Sequence, residues 1–357
     1  MNGMVTATIE RLEATGHATR EELELLLGEV EPEAATELFA AADRVRASAV
    51  GDEVHLRALI EFSNYCRRNC LYCGLRRDHR ELSRYRISPD KILETARGAA
   101  LLGYRTVVLQ SGEDAAYSVN TLAELVRAIK NECDMAVTLS IGQRSEEEYR
   151  LLRKAGVDRF LLRIETSSPT LYVELHPDSD WHERLGCLRT LQRLGYQTGS
   201  GVMIGLPGQT VGMLADDLLF LQALDLDMIG VGPFIPHPST PLAEAVGGDL
   251  GLTLRFVACL RLLCPQALIP ATTALGTLHP EGRERALQAG ADVLMPNATP
   301  LQYRERYQIY LGKICTGEEA AECRQCVVEM VTRMGRCVGT GHGHSRRHTG
   351  AVAARCS

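Results

Sequence analysis

Cys66, Cys70 and Cys73 stand in the run C-R-R-N-C-L-Y-C-G, a C-x3-C-x2-C spacing. Three soft thiolates this close together suit an iron–sulfur cluster or zinc. A structural zinc wants four ligands, and only His79 stands near the loop as a fourth. A 4Fe-4S cluster on three cysteines instead keeps one iron without a protein ligand. The amino and carboxylate groups of S-adenosylmethionine (SAM) can chelate that iron and bring a sulfonium beside it. One electron from the reduced cluster would then break a carbon–sulfur bond and release a 5′-deoxyadenosyl radical, so the cofactor rather than a side chain carries the hard step. Such a cluster is oxygen-sensitive.

The chain around the cysteines alternates short β-rich runs with amphipathic helical segments. Strands are expected at 55–61, 106–110, 136–141, 159–164, 198–204, 228–232, 268–272 and 293–296. Helices are expected at 89–102, 121–131, 145–155, 182–194, 210–224, 253–262 and 280–289, with glycine stops at Gly103, Gly156, Gly195 and Gly290. Repeated βα units without a strand-only block predict an α/β fold, a (β/α)8 TIM barrel, over a doubly wound open sheet. In such a barrel the loops that follow strands gather at one mouth, and the three cysteines follow the first strand. Residues 1–50 read as an N-terminal helical extension, with Thr19 and Glu22 forming a capping box. The barrel spans 51–300, a C-terminal extension spans 301–337, and the Gly-, His- and Arg-rich stretch 338–357 reads as a flexible tail.

Of 357 residues, 45% are hydrophobic and 24% charged, enough for a large core. The formal charge of −6 comes from mixed acids and bases, which disfavours nucleic acid as a partner. Residues 1–19 lack signal-peptide features and no long apolar run occurs, so a soluble, cytoplasmic protein without membrane contact is expected. Twelve cysteines in a reducing compartment point to metal binding or catalysis rather than disulfides. Cys133, Cys187, Cys259 and Cys264 fall in helical patterns and read as small core residues.

The C-x3-C-x-Y-C loop resembles the signature of the radical SAM superfamily, which implies the same barrel. The resemblance narrows over R-A-L-I-E-F-S-N at 57–64, G-L-R-R-D at 74–78, L-Q-S-G-E at 109–113, M-I-G-L-P-G-Q-T at 203–210, G-P-F-I-P-H-P at 232–238 and I-P-A-T-T-A at 269–274. Together these segments resemble the HydE-type FeFe-hydrogenase maturases, and the similarity runs from about residue 23 to 334. Methylornithine synthase and biotin synthase are close relatives and share the cluster loop. The resemblance implies an enzyme that cleaves SAM reductively, drawing electrons from a ferredoxin or flavodoxin. It also implies a small organometallic substrate, an iron–carbonyl–cyanide species carrying cysteine, and other hydrogenase maturases as partners. Methylornithine synthase, a lysine mutase, is the alternative with an amino-acid substrate, and a non-catalytic cluster carrier is the alternative outside enzymes.

Glu165 ends the fourth strand, where a carboxylate can accept hydrogen bonds from ribose hydroxyls. By resemblance it is a SAM ligand, and Arg184 matches the family arginine that pairs the methionyl carboxylate, a task its planar fork suits. Gln110, Ser111 and Glu113 fall where many radical SAM enzymes hold the SAM amino group, although Ser111 replaces a common glycine. Tyr72 and Ser140 complete the implied SAM site. Arg163 lies two residues before Glu165, so both face the same side of the strand. It could bind a substrate anion or simply pair Glu165. Thr272 and Thr273 could add hydroxyl donors to that anion, with Thr138, Tyr307 and Tyr310 lining the same cavity.

Cys315, Cys323 and Cys326 form C-x7-C-x2-C after the barrel. The resemblance implies an auxiliary cluster there, 2Fe-2S or 4Fe-4S. Zinc or idle thiols remain open, because a fourth ligand is missing.

Overall fold

The computed structural model describes residues 2–349. Strands β1 (Glu53–Leu56), β2 (Ala58–Ser63), β3 (Thr106–Ser111), β4 (Ala136–Ser140), β5 (Arg159–Leu161), β6 (Gln197–Ile204), β7 (Met228–Pro233), β8 (Val293–Leu294) and β9 (Cys337–Val338) alternate with helices. β2 to β7 form one parallel sheet in sequence order. The ring closes through parallel bridges: Met228 and Val231 meet Leu268 and Ala271, Pro270 meets Val293, and Asn297 meets Leu59. Backbone bonds from Ile229 N to Leu268 O (3.0 Å), Ala271 N to Val293 O (2.9 Å) and Leu59 N to Pro296 O (2.9 Å) seal it. The seventh wall position, expected at 268–272, is therefore present as single bridges, because Pro270 cannot donate to a ladder.

Local chemistry starts most of the barrel helices. Ser88, Ser118, Ser145, Asp180, Thr210 and Asp249 each accept from a first-turn N–H. Gly103 and Gly156 turn the chain at φ +86° and +106° and end the helices before them. The first strand is broken at Arg57 into β1 and β2, and all six residues of β2 are buried, as a wall covered on both faces requires. Helices Asn2–Thr15, Arg20–Leu27 and Pro32–Ala49 precede the barrel, and Thr19 with Glu22 forms the expected capping box. Leu23, Leu26 and Leu27 bury that helix in the main core.

Residues 338–349, expected to be flexible, are folded against the barrel end opposite the cysteines. β9 pairs with β1. The His342 carbonyl accepts from Thr106 Oγ1 (2.8 Å) and Arg159 Nη2 (2.6 Å), and His344 Nδ1 lies 2.7 Å from Gln197 Nε2. Thr106, Arg159 and Gln197 open strands β3, β5 and β6, so the segment straps the N-terminal face. Its glycines serve this approach: a Cβ on Gly339 or Gly343 would lie 2.5 Å or 2.8 Å from the His55 ring. Residues 350–357 of the expected tail lie outside the described residues.

Candidate active site

The cysteine loop leaves β2 and is stitched to several elements. Asn64 Nδ2 donates to Ser83 O (2.9 Å) and Arg306 O (2.8 Å), while Arg84 donates to Leu75 O (2.9 Å) and Arg76 O (2.7 Å). Leu71 N reaches Leu175 O (2.9 Å) and Gly74 N reaches Ile309 O (3.0 Å). The Glu113 N–H points at Cys66 Sγ, 3.4 Å away. Burial pushes the Cys66 thiol up, and it pushes Cys73 up to about 12, with the neighbouring cysteine thiolates adding to the effect at Cys70 and Cys73. Three half-buried thiols that resist ionisation side by side suit a cationic iron cluster, which supplies the missing positive charge.

One cavity of about 360 Å³ opens from these thiols down the barrel axis. Cys66, Cys70 and Cys73, the SAM-site residues expected from the sequence and all the expected substrate residues line it together. Glu165 holds φ +67°, a conformation rare for a side chain larger than glycine. Glu165 N to Gly201 O (2.9 Å) and Met203 N to Glu165 O (3.0 Å) fix it there. Such imposed strain marks functional positions, and here it aims a carboxylate into the barrel mouth. Arg163 does pair Glu165, through Nε at 3.0 Å and Nη2 at 2.9 Å, and also donates to Val202 O (2.7 Å). Both of the sequence readings of Arg163 therefore fit one geometry, since the pair itself faces the cavity.

Glu113 is engaged differently from the expectation that it meets the SAM amino group. Its carboxylate accepts from Arg68 Nε (2.7 Å), Arg67 Nε (3.0 Å) and Gln143 N (3.0 Å), with Arg184 Nη1 at 3.6 Å. Burial pushes its carboxyl up, but Arg184, the Gln143 N–H and Arg68 together outweigh burial and hold it below the ordinary value. Glu113 thus ties the cysteine loop to Arg184. Arg184 in turn donates to Tyr172 Oη (3.2 Å), and Tyr72 Oη meets His176 Nε2 at 2.8 Å, leaving the Tyr72 ring on the cavity wall. Ser111 Oγ turns back to Gly112 O at 2.7 Å.

Deeper in the cavity, Thr138 Oγ1 and Thr272 Oγ1 are buried without a protein partner. Unmet hydroxyls on a cavity wall are what a polar ligand would satisfy. Tyr307 and Tyr310 share this wall, and burial pushes both phenols up. The sequence reading missed Lys313, whose ammonium pairs Glu61 while Asn297 Nδ2 donates to the other Glu61 oxygen at 3.2 Å. Arg57, 4% exposed, also reaches the cavity and was missed. Glu61 lies in one of the resemblance segments, but nothing local in the sequence marks Lys313.

Cys315, Cys323 and Cys326 lie outside this cavity. Cys315 holds φ +63°, and its thiol is pulled below the usual value by a hydrogen bond from Cys323 and by Arg283, while Cys323 is raised by the same bond. Cys326 is exposed.

A barrel of this topology with a three-cysteine loop after its first strand defines a class. A model of the Radical SAM superfamily matches residues 60–221. This is a radical SAM enzyme. Over 310 residues, 87% of the chain and 89% of the relative, it is 54% identical to the [FeFe] hydrogenase maturase subunit HydE of Thermotoga maritima. The chain belongs to the HydE family. It is also 29% identical over 287 residues to 3-methylornithine synthase of Methanosarcina acetivorans, covering 79% of this chain and 81% of that one. The crystal structure of methylornithine synthase (PylB) superposes with a TM-score of 0.82 at 26% identity, covering 93% of this chain and 97% of that one. Membership implies a 4Fe-4S cluster and SAM. No helix among the described residues is long and apolar enough to cross a membrane.

Proposed function

We propose that this protein is a cytoplasmic hydrogenase maturase that cleaves SAM and directs the resulting radical at an anionic iron–carbonyl–cyanide precursor carrying cysteine. The observation that carries the reading is that one cavity joins the cysteine triad, Glu165, Arg184 and the unpartnered Thr138 and Thr272 hydroxyls. When bound, the cluster and SAM supply the 5′-deoxyadenosyl radical; everything else is positioning by this chain. Cys66, Cys70 and Cys73 would hold the cluster. Arg184, anchored by Tyr172 and Glu113, would pair the methionyl carboxylate, and Glu165 would accept from the ribose hydroxyls. Gln110 and Ser111 would lie by the SAM amino group, Ser140 would complete the SAM wall, and the Tyr72 ring would pack beside the cluster. Arg163, Thr138, Thr272, Thr273, Tyr307 and Tyr310 would receive the substrate.

Cys315, Cys323 and Cys326 would hold a second, 2Fe-2S or 4Fe-4S cluster remote from the cavity. The reductant would be a ferredoxin or flavodoxin, and the product would pass to other maturases.

The test is maturation of an apo-hydrogenase in an extract lacking its HydE-type protein. Addition of this protein should restore hydrogen evolution, and Glu165→Ala should fail. Full activity of Glu165→Ala would favour a cluster carrier, and conversion of lysine to methylornithine by the reduced enzyme would overturn the maturase reading.

A further inference from the structure

Charge is distributed unevenly around the cysteine loop. The whole chain carries −6, yet residues 65–86 hold seven arginines against Asp78 and Glu81, a net of +5. Arg68 and Arg84 are used internally, on Glu113 and on backbone carbonyls. Others face outward: Arg67, Arg77 and Arg86 expose 59%, 55% and 42% of their side chains, and Arg80 is exposed as well. The strip is continuous over the loop. Arg77 Nη1 donates to Arg67 O at 3.2 Å, and the Arg86 guanidinium lies 3.7 Å from the centre of the Tyr65 ring. The carboxylates that pair Arg67 and Arg86, Glu113 and Asp114, are themselves buried, so what these pairs show to solvent is arginine.

This strip flanks Cys66 on both sides in the chain. Cys66 lies between Tyr65 and Arg67 in the chain, and both of these are exposed. The inner side of the same turn is pressed against the end of β3, where a Cβ on Gly112 would stand 2.3 Å from Tyr65 O and 2.7 Å from Cys66 Cβ. An electron donor seated on the strip would therefore touch the residues that flank the Cys66 ligand. The exposed Tyr65 ring offers the amphipathic contact typical of a protein interface, and the carboxylates of Asp78 and Asp178 beside Arg77 disfavour a polyphosphate.

We propose that Tyr65, Arg67, Arg77, Arg80 and Arg86 form the docking surface for an acidic one-electron carrier protein. The inference rests on the reading of Cys66, Cys70 and Cys73 as a cluster site. In the transfer the carrier is oxidised by one electron and the cluster is reduced by one, with no proton or group moving. Opposite charges raise the encounter rate at low salt, and the advantage fades as salt screens it.

The experiment uses anaerobic, cluster-reconstituted holoenzyme and stopped-flow reduction by a reduced acidic ferredoxin, at about 50 mM and about 500 mM salt. Arg77→Glu/Arg80→Glu should slow the second-order reduction by about tenfold or more at low salt and approach the unaltered protein at high salt. Arg77→Gln/Arg80→Gln should fall between, and Arg127→Glu on the exposed face of helix Val119–Cys133 should leave the rate unchanged. Reduction by dithionite, and SAM cleavage driven by it, should be the same in all. A double reversal that keeps both the rate and the salt slope while dithionite still reduces the cluster overturns the docking surface alone. Holoenzyme whose cluster dithionite cannot reduce overturns this proposal together with the reading beneath it.

Discussion

Glu113→Gln removes one negative charge from a site where three arginines meet. Arg67 is 59% exposed and its pairing contributes little. Arg68 and Arg184 expose only 17% and 11% of their side chains, and the substitution leaves both without their nearest carboxylate. Breaking a buried pair from one side costs about 3–5 kcal/mol. Arg68 keeps Gln143 Oε1 at 3.0 Å and Arg184 keeps Tyr172, so the lower end applies, about 3 kcal/mol. Urea unfolding of the apo-protein near neutral pH measures this directly. The pH dependence supplies the sign. Glu113's carboxyl is held below its ordinary value in the folded protein, so its contribution is present above the ordinary carboxylate range and disappears as pH falls through the folded value. The variant and the unaltered protein should therefore converge toward acid. Because Glu113 also anchors Arg184, SAM should bind about tenfold more weakly, roughly 1.4 kcal/mol. A variant that loses less than about 0.5 kcal/mol and binds SAM unchanged would refute the assignment of Glu113 as the tie between the cysteine loop and Arg184.

Burial pushes the Asp217 carboxyl up to about 6 despite bonds from Ser167 and Thr166, so the folded state binds its proton more tightly than the unfolded chain. Asp217→Asn should gain about 3 kcal/mol of stability relative to the unaltered protein as pH climbs from about 4 to 6, and denaturation curves showing a constant difference would contradict this. Ending the chain at Val338 strips the His342 carbonyl and His344 from the fully buried Arg159, and unfolding should become easier by about 3 kcal/mol or more; unaltered thermal unfolding would show that the strap adds nothing. Replacing Cys315, Cys323 and Cys326 together by serine should preserve 5′-deoxyadenosine formation, because none of them reaches the cavity, and its loss would count against a remote second cluster.

What the sequence made legible was what repeats or sits close in the chain. The βα alternation, the Ser and Asp caps and the glycine stops are local, and the structure reproduces them to within a few residues. The Arg163 and Glu165 pair was one of the two readings that their spacing allowed, although β5 ends at Leu161 and Glu165 leaves extended backbone at φ +67°. Glu61 and Lys313, by contrast, lie 252 positions apart, and no pattern near Lys313 signals a buried ammonium. The strap at 338–349 was hidden for a different reason. Its glycines and histidines have the composition of a loose tail, yet here the missing side chains let the backbone press against His55, and Arg159 supplies the donors that hold it. Glu113 lines the cavity, but its neighbours Arg68 and Arg184 come from different elements, so its engagement became visible only in three dimensions.

The most direct measurement is anaerobic: reconstitute the cluster, reduce it, add SAM, and follow 5′-deoxyadenosine together with the electron paramagnetic resonance spectrum. The cluster signal should shift on SAM addition, with deoxyadenosine formed by the unaltered protein and absent in Cys70→Ser. Zinc bound in place of iron, or a cluster indifferent to SAM, would contradict the radical SAM reading.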